Sequence, residues 1–233
     1  MAGRADLREL RAKIRAIEGG GGVVGREVAR LGPGVDTGLP WGGLPSGCLH
    51  EVAGPAAPVA AAAFARRLAG DRGVVAWCVD DRTVEERGGL YGPGLRPFGI
   101  DPARLLLVRA RDRREVLWAF AEALACRALA CAVAEVDRLD LLESRRLQLA
   151  AEAGGGSGLV LRRGSPDPAP NAALTRWHAG PAGVGAGLRL DLWRAKGAAP
   201  GSWTVAWDER TLAFALAPGV VDRADGGRRA AAG

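Results

Sequence analysis

The chain has 233 residues, 48% of them hydrophobic and 25% charged, with a formal net charge of +6. That balance is too apolar for a disordered chain, and no run of roughly 18 uncharged apolar residues offers a membrane span. The opening "MAGRADLRELRAKIRAIE" is charged throughout and holds no apolar signal region, so the sequence reads as that of a cytoplasmic protein.

Residues 4–18 are predicted helical, because Leu7, Leu10, Ile14 and Ile17 recur at the spacing of one apolar stripe. Gly19–Gly22 end that helix and read as a flexible hinge. The stripe then docks either on its own core or on another subunit. From 32 to 48, "GPGVDTGLPWGGLPSGC" is dense in Gly and Pro and predicts turns. A strand follows over 49–53, a helix over 57–69 and a buried strand over 73–79. The Gly- and Pro-rich loop "ERGGLYGPGLRPFGIDP" leads to a strand over 104–108. A helix over 112–129 has Val116, Phe120, Leu124 and Leu129 on one face; a strand over 131–136, a helix over 140–153 and a strand over 158–162 complete the alternation.

Strands alternating with helices imply crossover connections and a mainly parallel sheet covered on both faces. After residue 163 the pattern changes. "GSPDPAPNAAL" predicts a mobile or disordered loop, and "LRLDLWRA", "SWTVAWD" and "TLAFALA" read as antiparallel strands joined by short turns. The fold class is therefore α/β, a mainly parallel sheet flanked by helices with an antiparallel C-terminal extension. Three parts are expected: helix and hinge over 1–22, one core domain over 23–217, and a disordered tail over 218–233.

The step from the first core strand into the first core helix, "LHEVAGPAAPVAAAAF", is where a phosphate-binding loop would sit. Such a loop needs backbone N–H donors, glycines, a lysine and a hydroxyl. Gly54 and Pro55 open the stretch, but Pro58 lacks an N–H, Val59 stands at the second glycine place, and Ala60 and Ala61 take the lysine and hydroxyl places. The loop reads as degenerate, with no cofactor bound. Asp80 and Asp81 follow a buried strand, where α/β enzymes place acids; equally, they are loop carboxylates held by Arg82 or Arg87. His50 and Glu51, adjacent in a strand, point to opposite faces. Neither Ser46 nor Ser157 has the flanks of a nucleophile elbow. Cys48, Cys78, Cys126 and Cys131 form no CxxC pair, and His50 and His178 are the only histidines, so no metal site is expected. The positive charge is almost all arginine and suggests an acidic partner such as nucleic acid, or simply an Ala-, Gly- and Arg-rich composition of the kind a GC-rich genome produces.

The order "VDTGLPWGGLPSGCLHEVAGPA", continued through "GVVAWCVDDRTVEERGGLYGPGLRPFGIDP" and the strand and helix after it, resembles the RecA core. More specifically, "GLPWGGLPSGCLHEVAGP", "LTRWHAGP" and "LRLDLWRAKGAAPGSWTVAWD" resemble the ImuA family, RecA-related proteins of bacterial damage-induced mutagenesis. The likeness covers roughly residues 36–208. It implies a RecA-like core without a working ATPase site. The place of RecA's water-activating glutamate falls on Arg82, and the magnesium-associated acid on Glu135 or Asp137. Loop 163–173 lies where RecA's DNA-contacting loops do, which leaves Arg162, Arg163 and Arg176 as candidate DNA-phosphate contacts. DNA association is then either direct or through partners.

The resemblance implies an accessory role in SOS-response translesion synthesis, with an ImuB-like polymerase-related protein, RecA and a C-family DNA polymerase as partners and no membrane. Leu7, Leu10, Ile14 and Ile17 form one candidate partner-binding surface. Trp193, Trp203 and Trp207 form either another such surface or part of the core. Two other functions fit the same residues less well, a SulA-like cell-division inhibitor and a RecA-like protein with a non-standard ATP site.

Overall fold

In a computed structural model, residues 23, 25–71, 73–164, 167–183 and 187–217 are described. The expected helix and hinge over 1–22, with Leu7, Leu10, Ile14 and Ile17, and the expected tail over 218–233 lie outside them. The elements in chain order are β1 Val28–Ala29, α1 Pro33–Asp36, β2 Leu44–Pro45, β3 Leu49–Ala53, α2 Ala57–Ala69, β4 Val74–Asp80, α3 Asp81–Arg87, β5 Leu105–Ala110 and α4 Arg113–Ala125. They continue with β6 Leu129–Glu135, α5 Leu141–Gly154, β7 Ser157–Arg162, β8 Thr175–Pro181, β9 Leu188–Ala195, β10 Gly201–Asp208 and β11 Ala213–Leu216.

Nine strands form one sheet in the order β5-β4-β6-β7-β3-β8-β9-β10-β11. From β5 to β8 all neighbours are parallel, and from β8 to β11 all are antiparallel. The expected mixed sheet is present, with β3 near its middle. Alternate residues of each strand feed two cores. On one face Val52, Trp77, Leu161, Trp177, Leu192 and Phe214 pack under α2; on the other Leu49, Ala76, Ala134 and Val160 pack under α4 and α5.

Helix α2 is almost entirely buried, and its alanines let it sit close on the sheet. Ala is the best helix former, and Pro58 in the first turn removes a donor that no turn of the helix would use. Helix α5 is capped by Asp140, which accepts from the Glu143 N–H at 2.7 Å while Glu143 reaches back to the Asp140 N–H at 3.1 Å.

Several boundaries differ from the sequence expectation. Helix α4 stops at Ala125, because Cys126 turns extended and Leu129 pairs with Val74 at the start of β6. The strand expected over 104–108 runs over Leu105–Ala110, and Arg104 lies in a short 3-10 turn. The segment 32–48 is not turns alone. It holds α1, whose Asp36 carboxylate accepts from the Leu31 N–H at 2.8 Å, and β2, which pairs with β1. Strand β8 was not anticipated as a strand at all, since "TRWHAGP" follows a Pro-rich loop and contains Gly and Pro. Pairing with β3 on one side and β9 on the other supplies the order that local propensity does not.

On the α2 face β3 is pinned by His50, which is fully buried. Its Nε2 faces the Pro45 carbonyl at 3.0 Å and its Nδ1 the Thr175 hydroxyl at 2.8 Å. A carbonyl only accepts, so Nε2–H donates to Pro45 and Nδ1 accepts from Thr175, whose oxygen in turn accepts from Trp177 Nε1–H at 2.9 Å. Burial lowers His50 from its ordinary 6.5 to about 4. The folded state thus resists a proton that the unfolded chain takes up near 6.5. The stabilisation is complete above that pH and is lost as pH falls from about 6.5 towards 4, by up to about 3 kcal/mol. Urea unfolding from pH 8 to pH 4 should therefore show a steeper stability loss for the native protein than for His50→Gln, which cannot titrate; equal slopes would show that His50 is not held neutral.

Candidate functional site

The C-terminal ends of the parallel strands, where α/β proteins gather ligands, bring together the β3–α2 turn, the acids after β4 and β6, and the arginines of β7. In the turn, Gly54 has φ +110° and its N–H lies 3.0 Å from both the Arg162 and the Gly164 carbonyls. Pro55 has no N–H. The Ala56 N–H donates to the Ala179 carbonyl of β8 at 3.0 Å, and the Ala57 N–H returns to Gly54 O at 3.1 Å. Pro58 again has no donor, and the Val59 and Ala60 N–H groups both point to Ala56 O at 3.1 Å. Ala60 and Ala61 are fully buried, while the side chains of Pro55 and Val59 face solvent. From 54 to 60 no backbone donor is left for an anion. A Cβ added at Gly54 would lie 2.5 Å from the Ala179 carbonyl oxygen, so β8 packs directly against the turn.

The acids after the strands are equally committed. Asp80 caps α3 by accepting from the Thr83 N–H at 2.6 Å. Asp81 pairs with Arg109 at 2.6 Å, so the partner is not Arg82 or Arg87 as expected from proximity in sequence. Arg82, at the place of the water-activating glutamate, lies exposed on α3 and pairs with Glu86 at 2.7 Å. Glu135 is buried and accepts from Trp77 Nε1–H and from Arg163 Nε–H, both at 2.8 Å. Asp137 is exposed, 3.9 Å from Arg87. The cleft that Asp80, Arg87, Arg113, Glu135 and Arg163 leave between them is about 20 Å³, room for about one water. Among the described residues no cluster of His, Cys, Asp and Glu has the arrangement of a metal site. Cys48, Cys78 and Cys131 are buried and Cys126 is exposed; burial pushes the Cys78 and Cys131 thiols up to about 12, which leaves them unreactive.

Beneath this end of the sheet lies a cluster that the sequence did not announce. Glu51, 1% exposed, accepts from Arg176 Nη2 at 3.1 Å and sits 3.5 Å from Arg162 Nη1. Asn171 donates its amide to the other carboxylate oxygen. Arg176 also donates to the Ala169 carbonyl at 2.9 Å and to the Asp167 carbonyl, and Arg162 Nε–H donates to the Asp137 carbonyl at 2.9 Å. These contacts correct two expectations. Arg162 and Arg176, read as DNA-phosphate contacts, are turned inward and buried to 7% and 6% exposure. The segment 164–174, read as mobile, is held across 167–173 by these arginines and by buried Asn171. Arg163 stays partly exposed, paired with Glu135. The available signal was a lone carboxylate in the apolar strand "LHEVA"; its partners, more than a hundred residues away in sequence, were not readable.

The three tryptophans separate. Trp203 is buried beside Trp177. Trp207 packs between Phe98 and Phe214 and donates to the Pro97 carbonyl at 2.9 Å. Trp193 is 46% exposed.

No helix among the described residues is long and apolar enough to cross a membrane. No family model matches the chain. It is similar to the protein named Protein ImuA of Caulobacter vibrioides strain NA1000 / CB15N, at 38% identity with 84% of this chain and 93% of that protein covered. The Protein ImuA of Caulobacter vibrioides strain ATCC 19089 / CIP 103742 / CB 15 matches with the same identity and coverage.

Three substitutions test this arrangement. Glu51→Ala strands two buried guanidinium groups and should cost about 3–5 kcal/mol in urea unfolding, while Arg163→Ala, at the exposed rim, should cost clearly less. Gly54→Ala meets the Ala179 carbonyl at a positive φ and should cost about 1–3 kcal/mol in the same assay; an unchanged midpoint would show that β8 does not pack against the turn.

Proposed function

This chain belongs to the ImuA family, and from that premise we propose that it is a non-catalytic adaptor in error-prone translesion DNA synthesis. In this reading a RecA-like core keeps the fold and has lost the reaction. The observation that carries it is the β3–α2 turn, degenerate as a phosphate loop: its N–H groups are satisfied by protein carbonyls or replaced by proline, and the lysine and hydroxyl places are buried alanines. A nucleotide triphosphate needs several free donors and a cation at that point. Without nucleotide there is no ATP-gated cycle, and what remains is a scaffold that raises the local concentration of its partners.

The partners in this proposal are an ImuB-like polymerase-related protein, RecA and a C-family DNA polymerase. The apolar positions Leu7, Leu10, Ile14 and Ile17 supply the docking surface in this proposal. Placed with its partners in the cytoplasm, the protein needs no metal, cofactor or catalytic residue.

Two measurements decide the matter. Tagged full-length protein should retain an ImuB-type protein or RecA on co-purification, and retention of neither removes the basis for an adaptor. A fluorescent ATP analogue should show no saturable magnesium-dependent binding; saturable binding would restore a nucleotide-dependent role.

A further inference from the structure

On the sheet face that α5 leaves uncovered, we infer that the groove beside α5 and the exposed end of β9 form a contact surface for the phosphodiester backbone of single-stranded nucleic acid, with Trp193 as a stacking platform for a base. This surface lies outside the 163–173 segment and outside Arg162, Arg163 and Arg176. It goes beyond the adaptor reading and stands without it.

A β-bulge creates the exposed end. Arg176 pairs with Arg194 and Trp177 with Leu192, which leaves Trp193 as the extra residue on β9. The bulge puts Trp193 and Arg194 next to each other in solvent where a regular strand would bury one of them. Trp193 lies against the ring of His178, stacked at 6.5 Å between centroids, which fixes it on the face opposite Trp177. Lys196 follows one turn of the chain later, and Arg145 faces the same groove from α5. The groove encloses about 380 Å³, at the small end of the range for ligand clefts. Arg145, Arg194 and Lys196 are exposed, and none has an ion pair among the described residues. Exposed arginines elsewhere are either paired with carboxylates, as Arg82, Arg109 and Arg111 are, or, like Arg96 and Arg114, lie outside the groove; what marks the groove is three such cations around one depression. The acid that lines the groove, Glu152, already has Arg26 at 3.9 Å.

Charge selects the occupant. Val23 lines the groove, so the sequence leading up to it is one candidate filler. There Arg4, Arg8, Arg11, Lys13 and Arg15 outnumber Asp6, Glu9 and Glu18, and like charge opposes that segment as the filler. A second copy, at net +6, is opposed in the same way. A polyanion fits. An exposed aromatic fixed beside unpaired cations is the arrangement that binds single strands, with the backbone held by charge and bases by stacking. An acidic protein segment would use the cations and leave the indole without a matching flat partner.

The test uses the full-length protein and a fluorescein-labelled oligo-dT of about 15 nucleotides, within the span of single-strand sites, followed by anisotropy across a salt series. The native protein should bind with a salt-dependent affinity. Arg194→Glu/Lys196→Glu should weaken binding at least about tenfold and reduce the slope of log K against log salt by about 1.4, two contacts at roughly 0.7 each for a single strand. Trp193→Ala should weaken it about 5- to 100-fold. The charge-matched Arg96→Glu/Arg114→Glu, at arginines outside the groove, should change it less than about twofold, in line with general screening of exposed charge. Arg145→Glu repeats the test from α5 should the β9 double variant not fold by circular dichroism. The proposal is overturned if the native protein does not bind the oligonucleotide, or if the two charge-reversal pairs lose affinity equally. It is also overturned if poly-glutamate displaces the oligonucleotide as well as unlabelled oligo-dT does, which would assign the groove to an acidic protein.

Discussion

A single buried carboxylate organises this molecule. Glu51 lies in the middle of β3, and the two guanidinium groups that neutralise it come from the strands on either side, Arg162 on β7 and Arg176 on β8. A charge taken out of water is costly unless it is paired and hydrogen-bonded. The pairing here therefore selects one neighbour order and one register for three parallel strands. The same arginines reach on to the carbonyls of Asp137, Asp167 and Ala169, so the chain leaving β6 and the chain leaving β7 are tied to the same point. On the other face of β3, neutral His50 links Pro45 to Thr175. Adjacent residues of one short strand thus fix opposite faces of the sheet.

This arrangement also determines what the end of the sheet can do. Strand β8, held parallel beside β3 through Glu51 and His50, brings the Ala179 carbonyl over the β3–α2 turn, where it takes the Ala56 N–H. The carbonyls of Arg162 and Gly164 take the Gly54 N–H. The N–H donors of the turn are thus part of the fold's own hydrogen bonding, and Ala60 and Ala61, on α2, pack into the core.

Legibility from sequence followed the range of the interaction concerned. Helix α2 was readable to the residue, because an alanine run bounded by Gly54-Pro55 and Gly70 encodes it locally. The parallel-then-antiparallel sheet was readable from the loss of helices after β7. Helix α4 ran too long in the sequence reading, since Leu129 extends the apolar count but lies five residues beyond Leu124 and belongs to β6. Strand β8 was invisible, because its order comes from two neighbours rather than from its own residues. At the candidate site, the residues of the β3–α2 turn were visible letter by letter, while the partners of its N–H groups were not.

The sequence by itself determined the α/β alternation, the antiparallel extension, the family resemblance and the absence of lysine, serine and threonine from the β3–α2 turn, all of which rest on residue identity and short-range periodicity. Tertiary structure alone decided which arginines face solvent. Arg162 and Arg176 looked like phosphate contacts beside a mobile loop, yet Glu51 draws both inside; Arg194 looked like one more residue of an alternating strand, yet a bulge leaves it and Trp193 outside together. An arginine reads the same in sequence whether it is buried or free, because what distinguishes the two is the distant carboxylate that the fold does or does not bring within reach.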